Sequence, residues 1–487
     1  MNKSLVRYIV GWVMVIIAAM LLLPMIVSII YRESTWVYFL LVSGICALVG
    51  GVSSKFKPKN KQMYSREGYA ACAITWIMLS VIGCLPFVIS GEIPNFTNAL
   101  FETVSGFTTT GCTILGNDIA IEDLSKGMTF WRCFTNWAGG MGILVFILAV
   151  ITPFSGQSNM YLMKAESPGP VVSKLIPKLK GTAVLLYMMY IFLSVVEFLL
   201  LIVGKMPVFD AITVTFSTAG TGGFSIHNDG IAAYEGHYYW QGVITTFMVL
   251  FGLNFTVYFL IIARKFRQAI KFEEMRYYFG WFFACTFVIT GVLYYKGVFQ
   301  SLFDCFHHSA FQVATLLSST GFATTNYDLW PESTKAILIL VALIGACAGS
   351  TGGGLKVSRI VILLKECSKE IHTQLHPHSV KSVKMDGKPI KHEVIRSVSV
   401  YLTIFIAVFT ASVLIISIDG YDFTTNFTAV LACLNNMGPG FGAVGPVCNF
   451  DGFSVLSKYV LIFDMLAGRL ELLPILMVFM PSSWRSK

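Results

Sequence analysis

Thr108-Thr109-Thr110-Gly111 is the first of four short segments in which small, uncharged residues surround glycine. The other three are Thr221-Gly222-Gly223-Phe224, Ser318-Ser319-Thr320-Gly321 and Asn435-Asn436-Met437-Gly438. They recur roughly every 100 residues, each between two long apolar runs, as in a chain built from internal repeats. Glycine allows a backbone to bend so that its carbonyl groups face a ligand. Four such loops around one axis predict a filter in which backbone carbonyls replace the water shell of a cation.

The composition is that of a protein with several membrane spans. Hydrophobic residues make up 55% of the 487 residues, charged residues only 13%, and the mean hydropathy is +0.70. Soluble domains carry about 25% charged residues, so rules that relate length to domain number in soluble proteins do not apply. The apolar runs carry no constellation of His, Asp, Glu and Cys. We therefore expect neither enzyme activity nor a cofactor in this chain.

The apolar runs predict an all-α membrane protein with two N-terminal helices and four pseudo-symmetric units around a central ion pathway. The first run, 9–30, has no charge and is long enough to cross about 30 Å of hydrocarbon. We expect it to remain as a helix and not to be removed as a signal peptide. A second N-terminal helix is predicted at 36–53.

Each unit is predicted as a span, a short helix, a turn and a second span. These segments are 69–90, 96–107, 108–113 and 129–152 in unit one; 182–204, 208–217, 218–225 and 238–263 in unit two; 277–298, 303–317, 318–323 and 334–364 in unit three; and 394–417, 423–435, 436–441 and 455–480 in unit four. The predicted chain divisions are 1–66 for the N-terminal helices and basic loop, 67–181, 182–275, 276–393 and 394–487.

The four short helices reach only halfway across a bilayer. Their predicted N-caps are Asn95 or Thr97, Asp210, Asp304 and Thr424. If these helices begin on the outer side, their C-terminal ends point to the bilayer centre, and their dipoles favour a cation there. Irregular backbone at that depth is tolerated only inside the protein or along water.

Some of the loops between apolar runs are rich in Lys and Arg and others have none, and this asymmetry predicts the topology. Lys and Arg concentrate at 55–66, 264–276 and 356–396, whereas 419–453 contains none. By the positive-inside rule the basic loops and both termini lie in the cytoplasm, so the net charge of +9 does not indicate nucleic-acid binding. Eleven scattered cysteines without a C-x-x-C pair predict neither disulfides nor a zinc site. Three histidines in the last basic loop, His372, His376 and His378, are expected to be solvated and not to bind metal.

A second glycine-rich stretch, Gly345–Gly354, interrupts the second span of unit three. A kinked helix is the structural alternative, but small residues at mid-membrane favour a flexible plug that must move for ions to pass. The predicted gate residues are Gly345, Gly349, Gly352, Gly353, Gly354 and Lys356.

Two glycine patterns resemble nucleotide-binding motifs without their context. Gly440–Gly445 matches G-x-G-x-x-G, and Gly349–Lys356 resembles a phosphate loop with Leu355 where lysine is needed. Both motifs require a preceding strand, whereas both stretches here adjoin apolar helical runs. We therefore expect no nucleotide site in this chain.

Arg469 lies within the last apolar run, with Asp464 and Glu471 nearby. An arginine near the bilayer centre costs at least ~2.5–3.5 kcal/mol, so it is expected to face an interior or water. An ion pair with one of the two carboxylates is the structural alternative. We predict that Arg469 stands beside the pore as a positive charge that raises the barrier between ions. Glu197 and Arg132 are expected to be inter-helix partners, with contacts that the sequence does not identify.

The chain resembles the TrkH subunits of the Trk/Ktr/HKT superfamily of potassium transporters over nearly its whole length. The matching segments are Phe107–Cys112, Gly222–His227, Ser319–Phe322, Asn435–Gly440, Gly349–Lys356 and Ala467–Glu471. The resemblance implies one filter glycine in each unit, with K⁺ (and Rb⁺) held by carbonyls of the two preceding residues. The filter residues are then Thr109, Thr110, Gly111, Thr221, Gly222, Gly223, Ser319, Thr320, Gly321, Asn436, Met437 and Gly438, with the register of unit two open by one residue.

The resemblance also implies partners and a location. These are a homodimer in the lipids of a bacterial inner membrane and a TrkA-like cytoplasmic ring, which carries the regulatory nucleotide (NAD or ATP/ADP). The alternative function is a cation symporter that works by alternating access, which discontinuous helices also support. Such a carrier needs acidic or aromatic groups at the midplane, whereas the four glycine segments are neutral and small. Transport with a fixed H⁺ or Na⁺ stoichiometry would indicate the carrier.

Overall fold

The computed structural model describes residues 2–56, 58, 64–142, 179–379 and 381–481. We number the described α-helices in chain order. Those of the first half are α1 (Lys3–Ile30), α2 (Trp36–Lys55), α3 (Ser65–Ser90), α4 (Phe96–Phe107), α5 (Lys126–Gly140), α6 (Leu179–Val203), α7 (Val208–Gly220), α8 (Tyr238–Phe251) and α9 (Phe255–Ile262). Those of the second half are α10 (Phe266–Ile270), α11 (Glu273–Tyr295), α12 (Leu302–Leu317), α13 (Glu332–Ile344), α14 (Val357–Leu375), α15 (His392–Ile416), α16 (Phe423–Leu434), α17 (Val455–Arg469) and α18 (Leu473–Phe479).

The remaining regular elements are small. One antiparallel hairpin joins β1 (Lys384–Met385) to β2 (Lys388–Pro389), with Lys384 opposite Pro389. Short 3-10 turns lie at Ile121–Asp123, Gly230–Tyr234, Tyr327–Leu329, Ser417–Asp419 and Gly442–Val444.

Within the described ranges, six helices are long and apolar enough to cross a membrane: α1, α2, α3, α6, α11 and α15. The pair α8 and α9 passes the same test together, although the two helices are bent by 91°. The prediction of an all-α membrane protein with several spans is thus confirmed. The long helices α2, α6 and α15 expose many apolar side chains, whereas the short helices α4, α7, α12 and α16 are largely buried. The short helices therefore lie in the core of the protein, inside the long helices.

The four short helices contain 12, 13, 16 and 12 residues, close to the predicted segments. Asn95 caps α4 as predicted, because its side chain accepts from Thr97 N and Asn98 N. The other three predicted caps are wrong: the residues that precede these helices are Pro207, Ser301 and Asp422. Asp210 and Asp304 instead lie in the first helical turn, where the helix dipole stabilises a negatively charged carboxylate. Hydrogen bonds from Thr425 hold the pKa of the Asp422 carboxyl below its usual value.

The second spans at 238–263 and 455–480 are broken, which the sequence did not predict, whereas the break in 334–364 lies at the glycine-rich stretch that was predicted to interrupt it. The span at 238–263 is interrupted between Phe251 and Phe255, that at 334–364 between Ile344 and Val357, and that at 455–480 between Arg469 and Leu473. In unit one α5 ends at Gly140, and 143–152 lies outside the described residues.

Two of these breaks satisfy each other's backbone groups. Cys347 N donates to Gly252 O at 3.0 Å, and Phe255 N donates to Gly349 O at 3.2 Å. Backbone polar groups at membrane depth need such partners because no water is available in lipid. The glycine-rich stretch of unit three therefore packs against the bend between α8 and α9.

Candidate ion pathway

The four loops that carry Gly111, Gly223, Gly321 and Gly438, here called the filter loops, share one backbone conformation. Two residues before each of these glycines stands a non-glycine residue with φ between 50° and 58°. These residues are Thr109, Thr221, Ser319 and Asn436. The glycines themselves have φ of 83°, 67°, 92° and 98°. Positive φ is uncommon outside glycine, so its recurrence at one position marks Gly223, and not Gly222, as the equivalent of the other three.

The filter loops pack against one another in a closed cycle. A Cβ added to Gly111 would overlap the carbonyl oxygen of Gly222, the residue before Gly223. The same construction on Gly223 meets Thr320 O, and on Gly321 it meets Met437 O. The cycle closes at Gly438, where a Cβ would lie 3.0 Å from Thr110 O. Each glycine thus makes room for the carbonyl that precedes the glycine of the next loop.

Side chains of the filter loops are buried and brace the backbone. Thr108 and Thr110 in unit one share a 2.7 Å hydrogen bond between hydroxyls, and Ser318 and Thr320 in unit three repeat it. Asn436 Nδ2 donates to Thr110 Oγ1 at 2.9 Å and so joins unit four to unit one. All of the predicted filter residues are uncharged, which leaves carbonyl oxygens as the strongest cation ligands on the ring.

A cavity of about 230 Å³ lies on one side of the ring. It is lined by the four filter glycines and by the residues that follow each of them, including Cys112, Phe224, Phe322 and Pro439. The chain leaves every filter loop toward this cavity. The cavity therefore borders the ring on the side of the residues that follow the glycines.

Arg132, which also lines this cavity, has the inter-helix partner that the sequence did not identify. Its Nε lies 2.5 Å from Oε1 of Glu102 in α4, and both side chains are almost fully buried. Arg132 Nη1 also donates to Ser225 O at 2.7 Å, and Glu102 accepts from Ile114 N at 3.0 Å. The pair therefore holds the segments that follow Gly111 and Gly223. An acidic residue inside a short apolar helix was the signal that could have pointed to Glu102. Glu197, the other expected partner, is fully buried in α6.

On the opposite side of the ring lies the stretch 345–356, here called the glycine loop. Gly353 N donates to Ser319 Oγ at 2.5 Å. A Cβ on Gly352 would overlap Ser318 O, and one on Gly353 would overlap Asn435 O. The glycine loop thus contacts residues that precede the glycines of filter loops three and four, whereas the cavity contacts the residues that follow them.

The glycine loop has an irregular backbone held by local and distant groups. Gly345, Gly349 and Gly354 have φ of 72°, 69° and 83°, and Lys356 has φ of 77°. The ammonium group of Lys356 donates to the carbonyl of Gly352, within the loop itself. All the predicted gate residues therefore belong to one continuous structure that packs directly on the filter loops.

Glu274, which was not selected from the sequence, holds the glycine loop and the start of the helix that follows it. Its Oε1 accepts from Ala348 N at 2.7 Å and from Ser358 N at 3.2 Å, while Oε2 accepts from Asn254 Nδ2 at 3.0 Å. The side chain is buried at the start of α11. A single carboxylate thus joins the glycine loop, α14 and the bend between α8 and α9.

Arg469 connects the filter with the glycine loop. Its Nη1 donates to Thr109 Oγ1 at 3.3 Å and to Thr351 O at 2.9 Å, and its Nη2 donates to Gly140 O at 2.7 Å. Of the two carboxylates considered from the sequence, Glu471 forms an ion pair with Arg359, and Asp464 accepts from Ser412. The arginine charge therefore lies against carbonyl oxygens and a hydroxyl next to filter loop one.

A family model described as "TrkH: Cation transport protein" matches residues 39–486. The chain belongs to the TrkH family. The Trk system potassium uptake protein TrkH of Salmonella typhimurium is 34% identical over all of both chains, as is the protein of the same name from Escherichia coli K12. The crystal structure of the potassium transporter TrkH from Vibrio parahaemolyticus has a TM-score of 0.88 and 30% identity, and each chain covers the other completely.

Membership of the TrkH family confirms the resemblance drawn from the sequence and the all-α membrane fold. It also establishes the chain as a member of a family of transport proteins. The assignment of individual residues to filter, gate and pore barrier, and the division of the chain into units, stay predictions.

Proposed function

We propose that this chain mediates potassium uptake across the inner membrane of a bacterium, with the filter loops as its selectivity filter. The similar TrkH proteins are named as potassium uptake proteins. The observation that carries the proposal is the closed cycle in which each filter glycine accommodates a carbonyl of the next loop. Only a backbone without Cβ allows this approach, so the loops require glycine at these positions.

In this proposal K⁺ or Rb⁺ exchanges its water shell for carbonyls of the two residues before each filter glycine. Rings of carbonyl dipoles select K⁺ in this way, and conduction requires that binding stays weak enough for release. One glycine in each loop provides few layers of carbonyls, so we expect exclusion of Na⁺ that is real but looser than in a filter with a longer signature in each loop. The C-terminal ends of α4, α7, α12 and α16 lead directly into the loops, and their dipoles add negative potential there.

The glycine loop is proposed as the gate, and Arg469 as the pore barrier. Contact of Gly352 and Gly353 with filter loops three and four supports an obstruction next to the ring. The loop contains several residues whose conformation changes at low cost. Arg469 places a permanent positive charge beside Thr109, where it repels a passing cation.

The chain is proposed to work as a homodimer with both termini in the cytoplasm and with a TrkA-like, nucleotide-binding partner ring. The basic segment 356–396 and the C-terminus support a cytoplasmic face that such a ring could meet. Neither K⁺ nor the partner's nucleotide is a cofactor of this chain: K⁺ is the cargo.

Rb⁺ flux into proteoliposomes that contain the purified full-length chain tests the function. We expect Rb⁺ entry that external K⁺ inhibits and external Na⁺ leaves nearly unchanged. Equal inhibition by K⁺ and Na⁺ would contradict the filter, and a fixed stoichiometry with H⁺ or Na⁺ would favour the alternating-access carrier. If the protein gives no flux, a variant that lacks Gly352 and Gly353 separates a closed gate from a wrong assignment of the pathway.

A further inference from the structure

The linker between α9 and α11 carries a dense basic patch. Arg264, Lys265, Arg267 and Lys271 are all exposed, and with Phe266 and Gln268 they line an open pocket of about 680 Å³. The linker is short, so the four cations remain close to one another. We call this feature the linker patch.

Within the described part of the chain, nothing neutralises the linker patch. No described carboxylate lines the pocket, and no described acidic residue forms a salt bridge with any of the four cations. The nearest acids along the chain are used elsewhere, since Glu273 pairs with Lys365 and Glu274 holds the glycine loop. Like charges that lie this close repel one another, and an anionic ligand would relieve the repulsion.

Exposed apolar side chains accompany the four cations. Phe266 and Ile270 stand four residues apart on α10, a spacing that places them on the same side of a helix, and they are 55% and 67% exposed. Ala269 on the same helix is buried and fixes α10 to the protein. A short helix with cations and exposed apolar groups has the composition of a segment that lies in the membrane interface.

The position of the linker agrees with that composition. It follows α9, the end of the bent span, and precedes α11, the next span, so it lies where the chain leaves and re-enters the bilayer. The positive-inside rule assigns such a basic loop to the cytoplasmic leaflet. Anionic phospholipids offer a phosphate directly beside acyl chains, which matches both kinds of side chain in the patch.

We propose that the linker patch binds an anionic phospholipid of the cytoplasmic leaflet. Arg264, Lys265, Arg267 and Lys271 take the phosphate headgroup, and Phe266 and Ile270 contact the acyl chains. Arginine suits this role because its guanidinium donates two parallel hydrogen bonds to phosphate. Both flanking helices hold the glycine loop, α9 through Phe255 N and α11 through Glu274. A lipid bound here therefore tethers two supports of the proposed gate to the membrane surface.

Native mass spectrometry of the detergent-purified full-length chain, titrated with phosphatidylglycerol or phosphatidylcholine, tests the proposal without any ion flux. We expect wild-type protein to retain phosphatidylglycerol in preference to phosphatidylcholine. The variant R264Q/K265Q/R267Q/K271Q should bind phosphatidylglycerol at least ~10-fold more weakly, since each cation near a membrane surface contributes to attraction of anionic lipid. The matched control K381Q/K388Q/K391Q/R396Q removes four other exposed cations and should bind as the wild type does.

Two further arms keep the result clear if the quadruple variant fails to insert. F266S/I270S retains every positive charge, and we expect its phosphatidylglycerol binding to fall by about half or more. Excess inorganic phosphate should leave the lipid bound. The proposal is overturned if wild-type protein binds both lipids equally, if both patch variants bind phosphatidylglycerol as wild type does, or if inorganic phosphate displaces the lipid completely. The last outcome would assign the patch to free anions.

Discussion

The filter loops and the glycine loop both depend on glycine, but they use it in different ways. In the filter loops each glycine occupies one equivalent position, with φ between 67° and 98°, and lies against a carbonyl of the next loop. In the glycine loop the left-handed residues follow no common spacing. Distant side chains hold that loop, namely Glu274, Ser319 and Arg469.

This difference separates two properties of transport. The geometry of the filter loops depends on the absence of Cβ atoms, so substitution of a filter glycine should change which ion passes. The glycine loop is held by a few hydrogen bonds, and we predict that their loss leaves the filter loops in place. Substitution of its supports should therefore change how often the path opens, with little effect on selectivity.

The largest effect is expected for Gly321→Ser. A side chain in the left-handed region costs roughly 1–2 kcal/mol, and its Cβ would also overlap Met437 O. We expect K⁺/Na⁺ discrimination, measured by competition of each ion with Rb⁺ flux, to fall at least ~30-fold. Gly291→Ser is the matched control, because a Cβ on this glycine of α11 meets nothing within 4 Å. Unchanged K⁺/Na⁺ discrimination in Gly321→Ser would show that Gly321 does not line the filter.

Glu274→Gln should have the next largest effect, and on flux alone. A carboxylate that accepts from backbone N–H groups contributes about 1.5–3 kcal/mol per hydrogen bond, compared with about 1 kcal/mol for a neutral acceptor. If the bonds from Ala348 and Ser358 hold the closed loop, Rb⁺ flux should rise roughly 10-fold. Glu370→Gln, on the exposed part of α14, should leave flux unchanged. A fall in K⁺/Na⁺ discrimination in Glu274→Gln would contradict the separation of gate and filter.

The short helices could be predicted well from the sequence, because the features that define them lie within a few neighbouring residues. Predicted 96–107 coincides with α4, and predicted 423–435 differs from α16 by one residue. Their length, apolar character and following glycine all lie within a few neighbouring residues. The positive φ of the filter glycines is also a local feature, because it depends on the loop in which each glycine lies.

Distant contacts explain what the sequence did not predict. The break between α8 and α9 is stable because Cys347 N, almost a hundred positions away along the chain, satisfies Gly252 O. Likewise, Glu102 and Arg132 come together only when α4 and α5 pack. The neighbours of Arg469 in the sequence made Asp464 and Glu471 the candidate partners in an ion pair, but in the structure Glu471 forms its ion pair with Arg359. Pairings across units thus need the three-dimensional structure.

Arg469→Ala tests whether the charge next to the filter acts on the ion. Removal of one positive charge near the path should lower the barrier by about 1 kcal/mol and raise K⁺ flux about fivefold. Arg469→Lys keeps the charge but loses the second nitrogen, Nη2, which donates to Gly140 O, so its flux should stay close to that of the wild type. Equal flux increases in both variants, at equal expression, would assign Arg469 to support of the glycine loop instead of to the barrier.

The smallest effect is expected for Ser319→Ala, at the contact between the two regions. The backbone of Ser319 belongs to filter loop three, whereas its hydroxyl accepts from Gly353 N. Loss of the hydroxyl leaves Gly353 N–H next to the ion path, where water can replace the acceptor at a cost of roughly 0.5 kcal/mol. We therefore expect about a twofold rise in Rb⁺ flux and no change in K⁺/Na⁺ discrimination.

Ser309→Ala is the control for Ser319→Ala, since this buried hydroxyl of α12 has no hydrogen-bond partner among the described residues. Its flux and selectivity should match those of the wild type. If Ser319→Ala instead loses discrimination while flux stays constant, the hydroxyl positions the filter carbonyls. The two regions would then share a support, and selectivity and gating could not be separated at this residue.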